Sequence, residues 1–170
     1  VLLTLFFSFG LTKIRLHTDF FDFYPRQHKY IQFYNEFRKM FGTANIMNVI
    51  VEVKKGDIYN PATLQKVDRI TLELLHDVPG VNGDQVMSLT HPKLKTTLTS
   101  GSGIKVVPLI YPRVPQDKDD LEFLRQKVYA TEGVRGFFVS PDDKATLIVA
   151  GFWEESVDLA GMFKKVQEIV

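Results

Sequence analysis

The sequence predicts an α+β domain in which helices cover one face of a sheet. Segments with the three- and four-residue apolar spacing of amphipathic helices alternate with short β-branched segments that are typical of strands. The composition is that of a folded globular chain, because 45% of the 170 residues are hydrophobic and 24% are charged. This length is ordinary for a single domain.

Charge balance and cysteine content exclude several classes of function. The 21 basic and 20 acidic residues nearly cancel, and no basic stripe of the kind that binds nucleic acid is present. We therefore expect no nucleic-acid partner. The absence of cysteine excludes a disulfide scaffold, a thiol nucleophile and metal sites with cysteine ligands.

Residues 1–12 differ from the rest, because they carry no charge and eight large apolar side chains. A helix of this length rises only ~18 Å, against ~30 Å for the hydrocarbon core of a bilayer. We expect the C-terminal end of a truncated transmembrane helix; the alternative is a buried N-terminal helix or strand. An aromatic cluster follows, as expected where a chain leaves the membrane. Its members are the candidate membrane-interface residues Phe20, Phe21, Phe23 and Tyr24.

The globular domain is predicted over residues 27–170, after a connecting segment at 13–26, and it begins with a helix at 27–41. Aromatic side chains recur in this helix on one side, a pattern more typical of core packing than of a cofactor pocket. Residues 46–53 are largely β-branched or apolar between turn residues, so they predict a strand. We call this side the aromatic stripe; it consists of Tyr30, Phe33, Tyr34, Phe37 and Phe41 together with the apolar Met40.

A second helix is predicted to start at Asn60, an N-cap residue, followed by Pro61 in the first turn. Pro79 and Gly80 end it, and residues 81–89 predict a weaker strand. The buried stripe of this helix is predicted to contain Leu64, Val67, Ile70, Leu74, Leu75 and Val78.

Residues 96–103 predict a mobile loop, and 104–110 is a short apolar run in a stretch that prolines hold extended and outside a central ladder position. Residues 90–116 as a whole are expected to be the most mobile part after the termini, because their serine, glycine, threonine and proline content offers few ladder hydrogen bonds. A helix follows at 117–129, with acidic residues in its first turn. Residues 136–140 and 145–153 predict a hairpin, and Ser156 is predicted to cap the last helix. The inner face of that helix would carry Leu159, Phe163, Val166 and Ile169.

The resulting order is a helix, a β-α-β unit, an insertion and a β-α unit. It is consistent with a ferredoxin-like split β-α-β fold that contains an insertion. A complete fold of this kind has one more strand after Val170, so we expect the last strand to be missing.

The sequence lacks the motifs that usually mark catalysis. It contains no nucleotide-binding glycine loop, no H-E-x-x-H and no G-x-S-x-G. Adjacent acids occur at helix starts or turns, where solvent-exposed carboxylates are usual. We expect no metal, no cofactor and no enzymatic activity; a hydrolase carboxylate pair assembled by the fold is the alternative. The acid pairs are Asp119–Asp120, Asp142–Asp143 and Glu154–Glu155. The histidines, none of which falls at metal-ligand spacing, are His17, His28, His76 and His91.

Several short segments, taken together and in order, carry a resemblance to a known family. They are TDFFDFYP at 18–25, 28–34 with FGTAN at 41–45, GDIYNP at 56–61, VPGV at 78–81 with SL at 88–89, and VSPD at 139–142 with 145–150. The set resembles the first extracytoplasmic loop of the resistance–nodulation–division (RND) superfamily. The branch is that of predicted lipid exporters related to the mycobacterial large membrane proteins (MMPL) and to Patched-like proteins.

This resemblance implies an inner-membrane exporter, driven by the proton gradient, in which the chain forms half of a periplasmic porter domain. The implied partners are a hydrophobic or lipid substrate, the rest of the transporter chain with a second porter loop, the membrane and a periplasmic partner protein. The proton-relay acids of such exporters lie in transmembrane helices, so none is transferred to this chain. The alternatives are a membrane-anchored periplasmic lipid-binding or adaptor module and, third, a soluble enzyme domain.

Overall fold

The computed structural model describes residues 24–25, 27–41, 45–101, 103–153 and 159–169. They combine α-helices with antiparallel sheets, which confirms the predicted α+β class. The chain divides into two compact units, residues 1–40 and 41–170. Across the described ranges, no helix has the length and apolar content that crossing a membrane requires.

The described part of the first unit consists mainly of helix α1, Lys29–Phe41, which confirms the helix predicted at 27–41. Its apolar side differs from the prediction. Tyr30, Phe33 and Met40 are largely exposed, and Phe37 is 36% exposed. The expectation that this aromatic stripe packs in a core is therefore wrong for these four side chains.

In the second unit, three strands form one sheet: β1 (Ile46–Glu52), β2 (Val81–Met87) and β5 (Ala145–Phe152). Strand β5 lies between the other two and is antiparallel to both, so β1 and β2 run parallel to each other. Helix α2, Pro61–His76, connects β1 to β2. The predicted β-α-β unit is thus present, with a third strand inserted into its middle.

The first hydrophobic core lies on the face of the sheet that α2 and the last helix, α4 (Leu159–Ile169), cover. Alternate residues of β1 point to this face. Val49 of β1 pairs with Ile148 of β5, and both side chains are buried there. The core contains Val49, Val51, Val67, Ile70, Leu74, Val78, Val86, Ile148, Ala150, Phe152, Val166 and Ile169. The buried stripe predicted for α2 is confirmed at Leu64, Val67, Ile70, Leu74 and Val78, while Leu75 is only partly buried.

Local capping explains where α2 begins. The side chain of Asn60 accepts a hydrogen bond from the backbone nitrogen of Thr63 at 2.8 Å, and Pro61 occupies the first helical position. The cap satisfies one of the amide groups that a helix start leaves without a partner. Both features follow the prediction from sequence.

The segment at 90–116 is more ordered than predicted. Strands β3 (Lys95–Ser100) and β4 (Gly103–Pro108) pair antiparallel along their whole length. Pro108 causes no conflict with this pairing, because it occupies the last position of β4. The loop predicted at 96–103 is therefore wrong for the residues of β3, and the expectation of few ladder hydrogen bonds is wrong for both strands.

A second core forms between the first half of α2, the 109–114 segment and helix α3, Lys118–Ala130. Asp117 caps α3 by accepting a hydrogen bond from the backbone nitrogen of Asp120 at 2.9 Å. The core contains Ile58, Tyr59, Leu64, Leu89, Leu94, Leu109, Ile110, Val114, Leu121, Leu124, Val128, Val134 and Val139.

Two predicted features near the C-terminus need correction. Residues 136–140 do not form a named strand, but Val139 bridges antiparallel to Thr146 of β5, and backbone hydrogen bonds join Ser140 to Ala145 and Leu147 to Phe138. The predicted hairpin is therefore present only over residues 138–147. In α4, Val166 and Ile169 are buried as predicted, but Phe163 is exposed. The predicted cap Ser156 lies outside the described residues, as does the side chain of Leu159.

Candidate functional site

Two cavities share one wall, the segment Ile110–Val114 that connects β4 to α3. One cavity, which we call the α2 groove, has a volume of about 470 Å³, and the other, the α3 groove, has about 500 Å³. Both volumes fall in the range of small-molecule sites, about 300–1,000 Å³. The shared wall contains a cis peptide bond between Tyr111 and Pro112, and the Tyr111 side chain is 72% exposed.

The α2 groove is predominantly apolar. Leu72 and Leu75 from α2 face Ile110, Tyr111 and Val114 of the shared wall. Leu72 is about half exposed, so an apolar ligand in the groove would remove its side chain from water. Its other lining residues are Asp68, Thr71, Thr90, His91, Pro92, Pro112 and Arg113.

Buried hydroxyl groups connect α2 to the end of β2 beneath this groove. Thr71 Oγ1 lies 2.7 Å from the carbonyl oxygen of Val67 and 2.9 Å from Ser88 Oγ. Ser88 Oγ also lies 3.2 Å from Thr90 Oγ1 and accepts a hydrogen bond from the backbone nitrogen of His91. Since these hydroxyls are paired with one another, they fix the floor of the groove and offer it little free polarity.

The α3 groove is more polar and is lined by both charges. Phe123 and Lys127 of α3 face residues 109–117, with Asp117 and Asp120 at the helix start. Lys127 Nζ donates a hydrogen bond to the carbonyl oxygen of Leu109, and it lies 5.2 Å from the centre of the Phe123 ring. Burial lowers the pKa of Lys127 from its ordinary value, an effect that Asp120 partly opposes.

The imidazole of His91 lies at the edge of the α2 groove, where its charged form is disfavoured. Burial lowers its pKa below the ordinary value, and the positive charge of Lys93 adds to this effect. Its Nδ1 accepts a hydrogen bond from the backbone nitrogen of Lys93 at 3.1 Å. At neutral pH the α2 groove therefore presents a neutral imidazole beside its aliphatic side chains, while Asp68 and Arg113 supply its charged groups.

A charge cluster joins α3 to the loop between β1 and α2 and to the segment that follows α3. We call it the Asp143 cluster; it consists of Asp57, Tyr59, Arg125, Tyr129, Arg135 and Asp143. Asp143 is only 7% exposed and accepts a hydrogen bond from the Tyr129 hydroxyl. Arg125 pairs with Asp57 and lies 3.9 Å from Asp143, while Arg135 lies 3.7 Å from Asp143.

This cluster corrects the expectation for the acid pair at 142–143. Asp142 is exposed as predicted, and its pKa is lowered by the hydrogen bond from Ser140. Asp143 is instead buried, with φ +58°, between two arginines. The arrangement is that of a structural ion-pair network, because the carboxylate of Asp143 is enclosed by cations and a phenol and its residue is almost fully buried.

Tyr59 in this cluster carries a buried hydroxyl group whose effect on the free energy of unfolding can be measured. Its ring lies 4.6 Å from the Arg125 guanidinium, and its hydroxyl oxygen is buried without a hydrogen-bond partner among the described residues. Burial, followed by the negative charge of Asp143, raises the pKa of Tyr59 above its ordinary value.

Tyr59→Phe is expected to leave the free energy of unfolding unchanged or to raise it by about 1 kcal/mol, because the variant removes an unsatisfied buried hydroxyl. A raised folded-state pKa stabilises the fold below the ordinary tyrosine pKa, and this contribution is lost as pH rises beyond it. The alkaline loss of stability should therefore be smaller in Tyr59→Phe. Urea unfolding at neutral pH and above pH 10 measures both effects, and a clear destabilisation at neutral pH would contradict this assignment.

The candidate site residues predicted from sequence do not coincide with the grooves. Phe20, Phe21 and Phe23 lie outside the described residues, and Tyr24 is exposed in the first unit. The groove residues Leu72, Tyr111 and Phe123 were not singled out as site residues. The proline-rich stretch around Tyr111 was the available signal, since prolines hold a wall in extended conformation without strand pairing.

Comparisons with known proteins leave the chain without an assigned family. No family model matches it, and no curated protein matches it. Within the described ranges, no three histidine or acidic side chains come together as a metal site would require. The grooves and the fold are therefore the observations on which a function can be argued.

Proposed function

We propose that this chain is the periplasmic domain of an RND-type, proton-driven inner-membrane exporter of hydrophobic or lipid-like substrates. The single observation that carries the proposal is the apolar α2 groove, with Leu72 and Tyr111 exposed in a cavity of about 470 Å³. The ordered resemblance of several sequence segments to the first extracytoplasmic loop of the superfamily supports the same conclusion.

The arrangement of the sheet also supports a porter-type subdomain of ferredoxin-like topology. The order β1-β5-β2, with β5 antiparallel to both neighbours, is the order of three strands in a split β-α-β fold. Helices α2 and α4 both contribute to the core on the same face of this sheet. A fourth strand would pair with β1, which in the described part of the chain pairs with β5 alone.

The chemistry of the α2 groove fits passage of a hydrophobic molecule better than catalysis. Its aliphatic side chains offer contact area without directed hydrogen bonds, and the hydroxyl groups of Thr71 and Thr90 are engaged with Ser88. A groove that stays open on one side covers only part of a ligand, so its affinity is low. Weak binding is compatible with transport, because the substrate has to leave again.

A stand-alone lipid-binding or adaptor module, anchored to the membrane by one helix, is the second candidate. The same groove supports this candidate, and the affinity for a lipid distinguishes it from the exporter domain. A closed lipid carrier buries about 70–90% of its ligand and binds it tightly, whereas one wall of a larger cavity does not.

We expect a sterol- or hopanoid-like lipid to bind this chain with a Kd of about tens of micromolar or weaker. Leu72→Gln should raise the Kd by about tenfold, since losing ~50 Å² of apolar contact at ~25 cal/mol per Å² costs ~1.3 kcal/mol. Phe137→Gln is the matched control, because Phe137 is similarly exposed and lies away from both grooves. Titration with a fluorescent sterol measures the Kd of the wild type, of Leu72→Gln and of Phe137→Gln.

The outcomes separate the candidates. Nanomolar, stoichiometric binding would favour the lipid-binding module, and equal effects of Leu72→Gln and Phe137→Gln would contradict the groove as the binding site. For export itself, the test is an efflux assay of the parent protein that carries this domain. Leu72→Gln should there lower substrate efflux, because it removes apolar contact area from the groove.

A further inference from the structure

Strand β1 is an edge of the three-stranded sheet, because in the described part of the chain it pairs with β5 alone. Backbone hydrogen bonds just beyond its two ends define the ladder. The Phe152 nitrogen donates to the Asn45 carbonyl oxygen at 2.9 Å, and the Val53 nitrogen donates to the Lys144 carbonyl oxygen at 2.8 Å. Both bonds join residues that lie directly opposite each other when the register of β1 and β5 is continued by one residue at either end.

This ladder shows which backbone groups of β1 face the free edge. Hydrogen-bonded and non-hydrogen-bonded pairs alternate along an antiparallel ladder. Since positions 45 and 53 are hydrogen-bonded to β5, the N–H and C=O groups of the even-numbered residues between them point away from β5. These residues are Ile46, Asn48, Ile50 and Glu52. Their side chains are also exposed, with Ile46 at 56% and Ile50 at 66%.

The opposite edge of the sheet, β2, carries features that usually prevent edge pairing. Its register with β5 shifts between Asn82 and Met87. Lys93 Nζ donates a hydrogen bond to the Gly83 carbonyl oxygen at 3.0 Å and lies 3.2 Å from Asp84 Oδ1. Irregular register and charged side chains protect an edge from adding another strand. By contrast, β1 keeps a regular register over its seven residues and contains no lysine or proline, so this edge is open to a further strand.

The sequence of β1 matches a second copy of itself. In an antiparallel pair of β1 strands whose twofold axis passes at Asn48, Ile46 of each copy lies opposite Ile50 of the other. The residues at 46, 48 and 50 all point their backbone groups to this edge, so the pairing forms about six hydrogen bonds. The next register, centred on Val49, puts Ile46 opposite Glu52 instead. Apolar cross-strand pairs stabilise a sheet, which favours the register centred on Asn48.

We propose that this chain forms a twofold dimer in which β1 of one copy pairs antiparallel with β1 of the other, centred on Asn48. The two sheets then join into one continuous sheet, and the exposed side chains of Ile46 and Ile50 cover each other. The second copy takes the place that a fourth strand would have in a split β-α-β fold, so the two occupants exclude each other. The proposal does not rest on the export function, because it concerns only this edge of the sheet.

Cysteine cross-linking tests the register, because the chain contains no cysteine of its own. Asn48→Cys places two thiols opposite each other at a Cα separation of about 5.5 Å, which a disulfide can bridge. Glu52→Cys is the matched control on the same strand and the same face, because residue 52 of the second copy would lie about 27 Å away. With copper phenanthroline as oxidant, we expect Asn48→Cys to form a covalent dimer and Glu52→Cys to stay monomeric on a non-reducing gel.

Analytical ultracentrifugation measures the association itself. The mass of the wild type should approach twice 19.5 kDa as the protein concentration rises. Asn48→Pro should weaken the dimer at least tenfold, because it removes the two central donors, while an edge position whose N–H points to solvent tolerates proline. Ile50→Lys should have the same effect with an unchanged backbone, since lysine is a residue type that protects natural edges. Circular dichroism checks that both variants are folded.

Three results would overturn the proposal. The first is a monomer at every concentration tested, which would assign the edge of β1 to another strand. The second is equal cross-linking of Asn48→Cys and Glu52→Cys, and the third is a dimer that Ile50→Lys leaves intact, which would place the contact elsewhere in the chain. None of these results bears on sterol binding in the α2 groove, so the two proposals fail separately.

Discussion

Phe152→Ala is expected to lower the free energy of unfolding by about 3–5 kcal/mol, the range for removing a fully buried aromatic ring. Phe152 is 1% exposed and is the largest of the fully buried side chains in the described part of the chain. It ends β5, the middle strand of the sheet, and pairs with Val81 of β2 in the core beneath α2 and α4. Removal of the ring leaves a cavity that strands on both sides restrain from collapsing.

Urea unfolding followed by circular dichroism measures this change. If the free energy of unfolding falls with urea concentration at the same slope in the variant and in the wild type, the variant still has a folded native state. Phe137→Ala is the matched control, because Phe137 is 61% exposed and its loss should change stability by less than about 0.5 kcal/mol. Equal effects of the two substitutions would show that the sheet does not form the main core.

The elements predicted correctly are those whose signals are local. The spacing of Leu64, Val67, Ile70 and Leu74 identifies the buried side of α2, and Asn60 with Pro61 marks its start. Both signals lie within a few residues of the element that they describe. The same holds for β1, whose β-branched residues lie between turn residues, and for α3, which has acidic residues in its first turn.

The errors concern contacts between distant segments. The polar residues of β3 suggested a loop, but β4 pairs with them, and Leu94 and Leu109 at the base of this hairpin are buried in the second core. Conversely, the aromatic stripe of α1 suggested a core because periodicity identifies an apolar side without identifying what covers it. Helices that lie on a lipid surface have the same periodicity of apolar residues.

The candidate site could not be read from the sequence for the same reason. The α2 groove combines Leu72, His91 and Tyr111, three residues from separate elements that only the fold brings together. The Asp143 cluster likewise joins Asp57 to Arg125 across 68 positions. The expectations about substrate and membrane came from the family resemblance and stay proposals.

The Asp143 cluster leads to the second large effect. Asp143→Ala is expected to lower the free energy of unfolding by about 3 kcal/mol. Losing one partner of a buried ion pair costs about 3–5 kcal/mol, and this is reduced here because Arg125 and Arg135 are each about one third exposed or more. The left-handed backbone at Asp143, with φ +58°, adds about 1 kcal/mol for alanine.

Asp143→Asn separates charge from conformation. Asparagine tolerates the left-handed backbone and keeps the shape of the side chain, so only the ionic contribution is lost and the expected cost is about 2 kcal/mol. The hydrogen bond to Asp143 raises the pKa of Tyr129 from its ordinary value, with burial and the charge of Asp143 contributing further. That pKa should therefore fall in Asp143→Asn.

Urea unfolding of both variants and ultraviolet titration of tyrosine ionisation provide the measurements, with Asp142→Asn as the control at an exposed neighbouring acid. A raised phenol pKa stabilises the fold below the ordinary tyrosine value and loses this effect as pH rises beyond it. The difference in stability between wild type and Asp143→Asn should accordingly narrow above pH 10. If Asp143→Asn were as stable as the wild type at every pH while the Tyr129 titration was also unchanged, Asp143 would act through its backbone conformation alone. Since Ile58 donates a backbone hydrogen bond to the carbonyl oxygen of Asp143 at 2.9 Å, that conformation also positions the loop before α2.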